Sequence, residues 1–212
     1  ADGRTAIVDD PRLRLPLHVH VLLDDNRRKA TGLHAKLLAP EHVSVVEYGE
    51  QPMPAFDPET TLVLFPSKQA KFIDEVERLD RFSSIVLIDC RWTTLRAANE
   101  PALQQLQHVK LRHVPEKSVF WRYHDAGDGC VSSIEALYYA FKEIMQVTGQ
   151  AVSGGTLEDL LYIFALQADS IRQDYASNPR KQGLILPMDA QAKALQQWRR
   201  RHNGRHPDVP IP

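Results

Sequence analysis

The sequence predicts an α/β protein built on a mainly parallel sheet, and three observations carry that expectation. Thr61–Phe65 and Ser84–Asp89 are short, continuous apolar runs, the pattern of strands buried on both faces. Each is followed by polar residues and then by a stretch of helical character, and such alternation places helices over a parallel sheet. Both runs end in unusual chemistry, Phe65-Pro66-Ser67-Lys68 and Asp89-Cys90-Arg91-Trp92. In sheets of this kind ligands bind just outside the carboxyl ends of the strands.

Taken in order, Leu17–Leu23 alternates and is β-rich, so it reads as the first strand, and Val43–Tyr48 reads likewise. Val109–Leu111 and Ser118–Trp121 are shorter strand candidates. Helical periodicity is clearest over Ser132–Val147, where Ile134, Leu137, Tyr138, Phe141, Ile144 and Met145 recur at three- and four-residue steps. Ser132 or Ser133 suits its N-cap, and the charge of Glu135 suits the helix dipole. A second helix is expected from Thr156, as cap, to Tyr175, and a third from Asp189 to about Arg201. Pro207, Pro210 and Pro212 give an extended tail. The expected division is an N-terminal segment 1–16, a main domain 17–176 and a basic C-terminal part 177–212.

The 212 residues, 43% hydrophobic and 25% charged, suit one domain with a full core, alone or with an appendage. No apolar run approaches the length of a membrane span, and the first twenty residues lack a signal-peptide pattern. Cys90 and Cys130 form neither a disulfide framework nor a zinc site; free thiols in a reducing compartment, nucleus or cytoplasm, are expected. The histidines show no metal-ligand spacing, so no metal is expected. Glycine loops of the phosphate-binding and dinucleotide-binding types and Ser-centred nucleophile motifs are absent from the sequence. The net charge is −1, but Arg172–Arg205 holds eight Lys/Arg against two Asp, a local excess of +6. Such a segment is either a phosphate-docking surface or a solvated helix face.

Several residues are able to carry chemistry. Asp89 ends an apolar strand, where desolvation raises a carboxylate's affinity for a proton; it reads as a general base, as the cap of the following helix, or as both. Trp92 either walls a ligand or belongs to the core. Arg91 either meets an anion or is exposed. The stretch Arg122–Cys130 reads as a loop, with Gly127 and Gly129 allowing close backbone approach to a ligand. It leads into a helix N-terminus whose free N–H groups suit an anion or water.

The order of these motifs resembles the DTW-domain family. That family is named for an Asp-x-Thr-Trp motif at the end of an apolar strand and carries a later Ser-Thr-x-Glu-Ala motif that opens a helix. Asp89-Cys90-Arg91-Trp92 and Ser132-Ser133-Ile134-Glu135-Ala136 stand in those places, with Arg91 at the motif threonine. The segment Thr31–Pro40 is similar to the family's Thr-then-Leu-rich segment, and Leu64-Phe65-Pro66-Ser67 to its first ligand loop. Phe120-Trp121-Arg122 and Leu160-Leu161-Tyr162 resemble the eukaryotic type-1 branch. The resemblance spans about Leu17 to Arg172 and lacks the N-terminal cysteine cluster of many relatives.

The resemblance implies a SPOUT-like α/β fold with helices on both faces and a C-terminal trefoil knot. It implies S-adenosylmethionine (SAM) as donor of a 3-amino-3-carboxypropyl group and N3 of a uridine in the D-loop region of tRNA as acceptor, with Asp89 as base. The SAM contacts it implies are Thr31, Leu64, Phe65, Pro66, Ser67, Ile88, Asp89, Cys90, Trp92, Leu111, His113, Val114, Ser132, Ser133, Glu135 and Ala136. Arg91, Arg112, Arg122, Arg199, Arg200 and Arg201 are the expected RNA contacts. A SPOUT-type RNA methyltransferase and a non-catalytic RNA-binding module are the alternatives. Monomer and homodimer are both compatible with the sequence, and no membrane association is expected.

Overall fold

The computed structural model describes residues 12–90, 96–114 and 131–178. In chain order the elements are β1 (His18–Asp24), α1 (Leu33–Leu38), β2 (Val43–Glu47), β3 (Thr61–Leu64), β4 (Lys71–Phe72), β5 (Ser84–Cys90), α2 (Pro101–Gln104), β6 (Gln107–Lys110), α3 (Ser133–Thr148) and α4 (Tyr162–Ser177). The strands form one six-stranded sheet in the order β2-β1-β5-β3-β6-β4, and every pairing is parallel. All carboxyl ends therefore lie along one edge. The sequence expectation of a mainly parallel sheet holds. The candidate strand Ser118–Trp121 and the candidate helix 189–201 lie outside the described residues.

The central strands are buried on both faces, which is why β3 and β5 read as unbroken apolar runs. Alternation along β5 sends Ile85 and Leu87 into one core and Val86 and Ile88 into another. The larger core packs the sheet against α1, α3 and α4 through Ala35, Ile134, Leu137, Phe141 and Phe164. The smaller core uses Ala97, Ala98, Leu103 and Leu106, from the short turn Ala97–Asn99 and α2 and its exit. The described part of the N-terminal segment, residues 12–16, contributes to the larger core. Leu13 and Leu15 are buried in it, and Arg14 bridges to Ser153 in antiparallel fashion.

The long helix α3 begins at N-cap Ser132 and ends at Gly149, whose φ of 73° is the left-handed conformation that glycine adopts without strain. The helix expected from Thr156 starts instead as a 3-10 turn, Leu157–Leu161, before α4 begins at Tyr162. Asp159 accepts the Thr156 N–H at 2.7 Å and tightens that first turn. Among the described residues no helix is long and apolar enough to cross a membrane.

Candidate functional site

The sheet topology sets the candidate residues side by side. β3 lies between β5 and β6, with Leu64 beside Leu87 on one flank and Val109 on the other. Phe65–Ser67 therefore leaves the sheet next to the end of β5, and Leu111–Val114 leaves it one strand further on.

Asp89 continues the alternation of Ile85 and Leu87 and points to the face that carries α1 and α3. It is 5% exposed, and its Oδ2 accepts the N–H of Gly32 at 2.7 Å. Gly32 is the N-cap residue of α1 and has no side chain with which to cap it. A carboxylate 57 residues further along the chain is thus tied to the start of that helix. The helix start that Asp89 contacts is that of α1, earlier in the chain, and not that of the helix expected to follow it.

Thr31, also buried, accepts the N–H of Ile134 on its Oγ1 at 3.4 Å. Ile134 lies in the first turn of α3, so Thr31-Gly32 links the end of β5 to the start of α3. Ser132 and Glu135 close a reciprocal cap there. Glu135 Oε2 takes the Ser132 N–H at 2.8 Å and its hydroxyl at 2.7 Å, while Ser132 Oγ accepts the Glu135 N–H at 3.4 Å. These two polar groups satisfy each other. Within the motif Ser133 is left as the donor: among the described residues its N–H and hydroxyl make no hydrogen bond. Three sequence segments, around 31, 89 and 132, thus meet at one point.

Other expected contacts are placed differently. Ile88 and Cys90 belong to the opposite face and pack with the smaller core. The Cys90 thiol is pushed up to about 11, by burial first and then by the carboxylates of Asp24, Asp89 and Asp25. Burial thus favours its protonated form, and Cys130 lies outside the described residues. Phe65 also packs against the smaller core, and its N–H is donated to the Val109 carbonyl at 3.0 Å. Ser67 Oγ lies 2.9 Å from Nδ1 of buried His108, whose Nε2 lies 3.0 Å from the Leu103 carbonyl. A carbonyl only accepts, so Nε2 carries the hydrogen, and in the neutral ring the Ser67 hydroxyl donates to Nδ1. Pro66 is exposed and Leu64 is buried in the larger core.

On the Leu111–Val114 side, buried Glu143 of α3 accepts the Arg112 N–H at 3.0 Å and the His113 N–H at 2.9 Å. Those two amides are therefore committed to the protein. Arg112 grips Asp74 through Nε at 2.7 Å and Glu75 through a terminal nitrogen at 2.9 Å, and its guanidinium lies 4.1 Å from the Phe72 ring centre. Leu111 and Ala136 are half-buried against the larger core, and Val114 is half-buried. Arg91, Trp92, Arg122, Arg199, Arg200 and Arg201 lie outside the described residues. Among the described residues no three His, Cys, Asp or Glu side chains are grouped to hold a metal.

Gly32 and Glu143 escaped the sequence reading, and so did a polar cavity of about 400 Å³ at the carboxyl ends of β1 and β2. Asp24, Asp25, Glu47, Glu50, Tyr48 and Arg96 line it. Arg96 pairs with Asp24 at 2.6 Å, and Arg27 pairs with Glu47. Glu47 pushes up the neighbouring Glu50 carboxyl through their hydrogen bond. The only sequence signal was the acidic pair Asp24-Asp25 at the end of the first strand.

A model of the DTW domain matches residues 10–172. The chain is 24% identical to tRNA-uridine aminocarboxypropyltransferase 1 of Mus musculus, over 80% of this chain and 70% of that one. It is 26% identical to the protein of the same name from Xenopus laevis, over 74% of this chain and 68% of that one. A solved SAM-dependent rRNA:acp-transferase from Vulcanisaeta distributa superposes on 91% of this chain with a TM-score of 0.41 and 15% identity. That likeness is too loose to carry meaning for the site.

Proposed function

The chain belongs to the DTW-domain family, and from that premise we propose that it transfers the 3-amino-3-carboxypropyl group of SAM to N3 of a uridine in the D-loop region of tRNA. The observation that carries the reading is the meeting of three family segments at one point, through the Gly32–Asp89 and Ile134–Thr31 hydrogen bonds. The names of the relatives, tRNA-uridine aminocarboxypropyltransferases, point the same way. A SPOUT-like, knotted chain path belongs to the same proposal.

The donor set suits the donor molecule. The Ser133 N–H and hydroxyl open a sixteen-residue helix and make no hydrogen bond among the described residues, which fits an incoming carboxylate such as that of the aminocarboxypropyl chain. SAM, when bound, supplies a carbon bonded to a sulfonium, open to attack by a nucleophile. The chain's own part is positioning and proton transfer. Uridine N3 is a weak nucleophile until its proton is removed. Asp89, at the strand end between the two helix starts, takes that proton. The Gly32 N–H donated to it favours the charged carboxylate, the form a base requires. Phe65–Ser67 and Leu111–Val114 flank the place where an adenosine would lie. Arg91, Arg122 and the Arg199–Arg201 run hold tRNA phosphates; Arg112 contributes less, being already paired with Asp74 and Glu75.

Incubating the protein with tRNA and SAM labelled in either the carboxypropyl carbons or the methyl tests the reading. Carboxypropyl label in tRNA supports it. Methyl label in its place identifies an RNA methyltransferase, and binding of tRNA with neither label identifies a non-catalytic RNA-binding module.

A further inference from the structure

We propose that Gly32 is a positioning residue for Asp89. It fixes one carboxylate oxygen through its N–H and, by lacking a side chain, leaves the space that oxygen occupies. The inference rests on the reading of Asp89 as the base.

Gly32 is not glycine for the sake of its backbone. Its φ of −59° and ψ of −26° are ordinary right-handed values that any residue adopts. As an N-cap it is also a weaker choice than a serine or aspartate that would cap the helix itself. What excludes a side chain is the surroundings. A Cβ built on Gly32 would lie 2.7 Å from Asp89 Oδ2, 3.2 Å from Val21 Cγ1 and 3.3 Å from Leu87 Cδ2. Val21 and Leu87, core residues of β1 and β5, need give by only a few tenths of an ångström, whereas at 2.7 Å the carboxylate oxygen has to shift. Asp89 is the neighbour able to move, and it moves only by leaving the N–H that holds it at 2.7 Å. A methyl group at position 32 therefore acts on the carboxylate while the fold around it stays in place. A displacement on that scale is costly for a base, because proton transfer needs the acceptor within hydrogen-bond reach.

The test is Gly32→Ala beside Asp89→Asn, each followed by transfer rate against pH, SAM affinity and thermal midpoint. In Gly32→Ala the maximal rate should fall roughly 10²-fold at neutral pH, with SAM affinity close to that of the unaltered protein. The acidic limb of its rate profile should move to higher pH, since a carboxylate deprived of a donated N–H holds its proton more tightly. A purely structural loss would lower the rate at every pH and leave the limb in place, and that result overturns the proposal. Asp89→Asn with near-normal transfer removes the base reading and this inference with it. An inactive Asp89→Asn beside a fully active Gly32→Ala removes the positioning role alone. Should Gly32→Ala fail to fold, the unaltered protein still answers by nuclear magnetic resonance. The Gly32 amide proton should lie far downfield, be protected from exchange and shift as Asp89 titrates; an unprotected amide at an ordinary position overturns the proposal.

Discussion

The junction around Asp89 and the acidic cavity beside it occupy one edge of one sheet, and they hold their carboxylates mostly by different partners. At the junction Asp89, Thr31, Ser132 and Glu135 are all buried, and backbone N–H groups hold each of the acceptors. In the cavity the cations are Arg96 and, beside the lining, Arg27 on Glu47, whose side chains are 70% and 63% exposed; Asp24, 2% exposed, also takes a backbone N–H, that of Ala97 at 3.4 Å. Backbone donors are fixed by the secondary structure that carries them. Long exposed cations are not, and water and salt screen their pairs. Polar groups alone therefore do not mark a site that holds geometry; burial with a backbone partner does.

Substitutions can break or sharpen this contrast. The largest effect is expected from Asp89→Ala, which should lower transfer by about 10²–10⁴-fold while SAM still binds. Near-normal turnover would show that the junction is scaffold alone. Next comes Glu143→Leu, which leaves two N–H groups of the 112–113 segment without their acceptor. Urea unfolding should show a loss of about 1–3 kcal/mol for each group that stays dry, and an unchanged midpoint would mean that water replaces the carboxylate at once. Ser132→Ala removes half of the reciprocal cap and should cost about 1 kcal/mol. Arg27→Ala, which removes the partner of the cavity's Glu47, should change stability by less than about 1 kcal/mol, with the difference vanishing in high salt. A larger, salt-resistant loss would place the cavity in the same class as the junction.

Acid should act on the buried side first. His34, on α1 beside the junction, is pushed down to about 4 by burial, against a smaller opposing effect of its hydrogen bond to Gln167. Its ordinary value is 6.5, so the unfolded chain binds a proton over the interval from there to about 4 that the folded chain refuses. That contribution to stability is present above pH 6.5 and is lost as pH falls through the interval. In His34→Leu the acid decline in unfolding free energy should be shallower, and an unchanged slope would exclude His34 as its source.

The sheet was readable because its strands are long enough to show a pattern. β5 has seven residues and an unbroken apolar run; β4 has two, Lys71 and Phe72, and two residues have no period. The six residues of α1 failed for the same reason, although the segment Thr31–Pro40 was singled out by its likeness to a family. An N-cap at Ser132 or Ser133 and an acidic first turn at Glu135 were legible because their spacing is local; the hydrogen bonds that join Ser132 to Glu135 were not. Gly32 was not, because its meaning lies in a carboxylate 57 residues away. Glu143 likewise reads as an ordinary helical glutamate until the 112–113 backbone is placed against it.

The junction also ties the candidate site to the folding of the whole domain. Its two defining hydrogen bonds join residues 57 and 103 positions apart, across a sheet in which β5 must insert between β1 and β3. Closing loops of that length is slow and is repaid only when the non-local contacts form. The geometry of the junction is thus set by contacts between segments far apart in the chain. A ligand held there at 100 times its dissociation constant adds about 2.7 kcal/mol to the unfolding of the entire domain. Hydrogen exchange should register that gain in the central strands and the long helix together, rather than in the loops that touch the ligand.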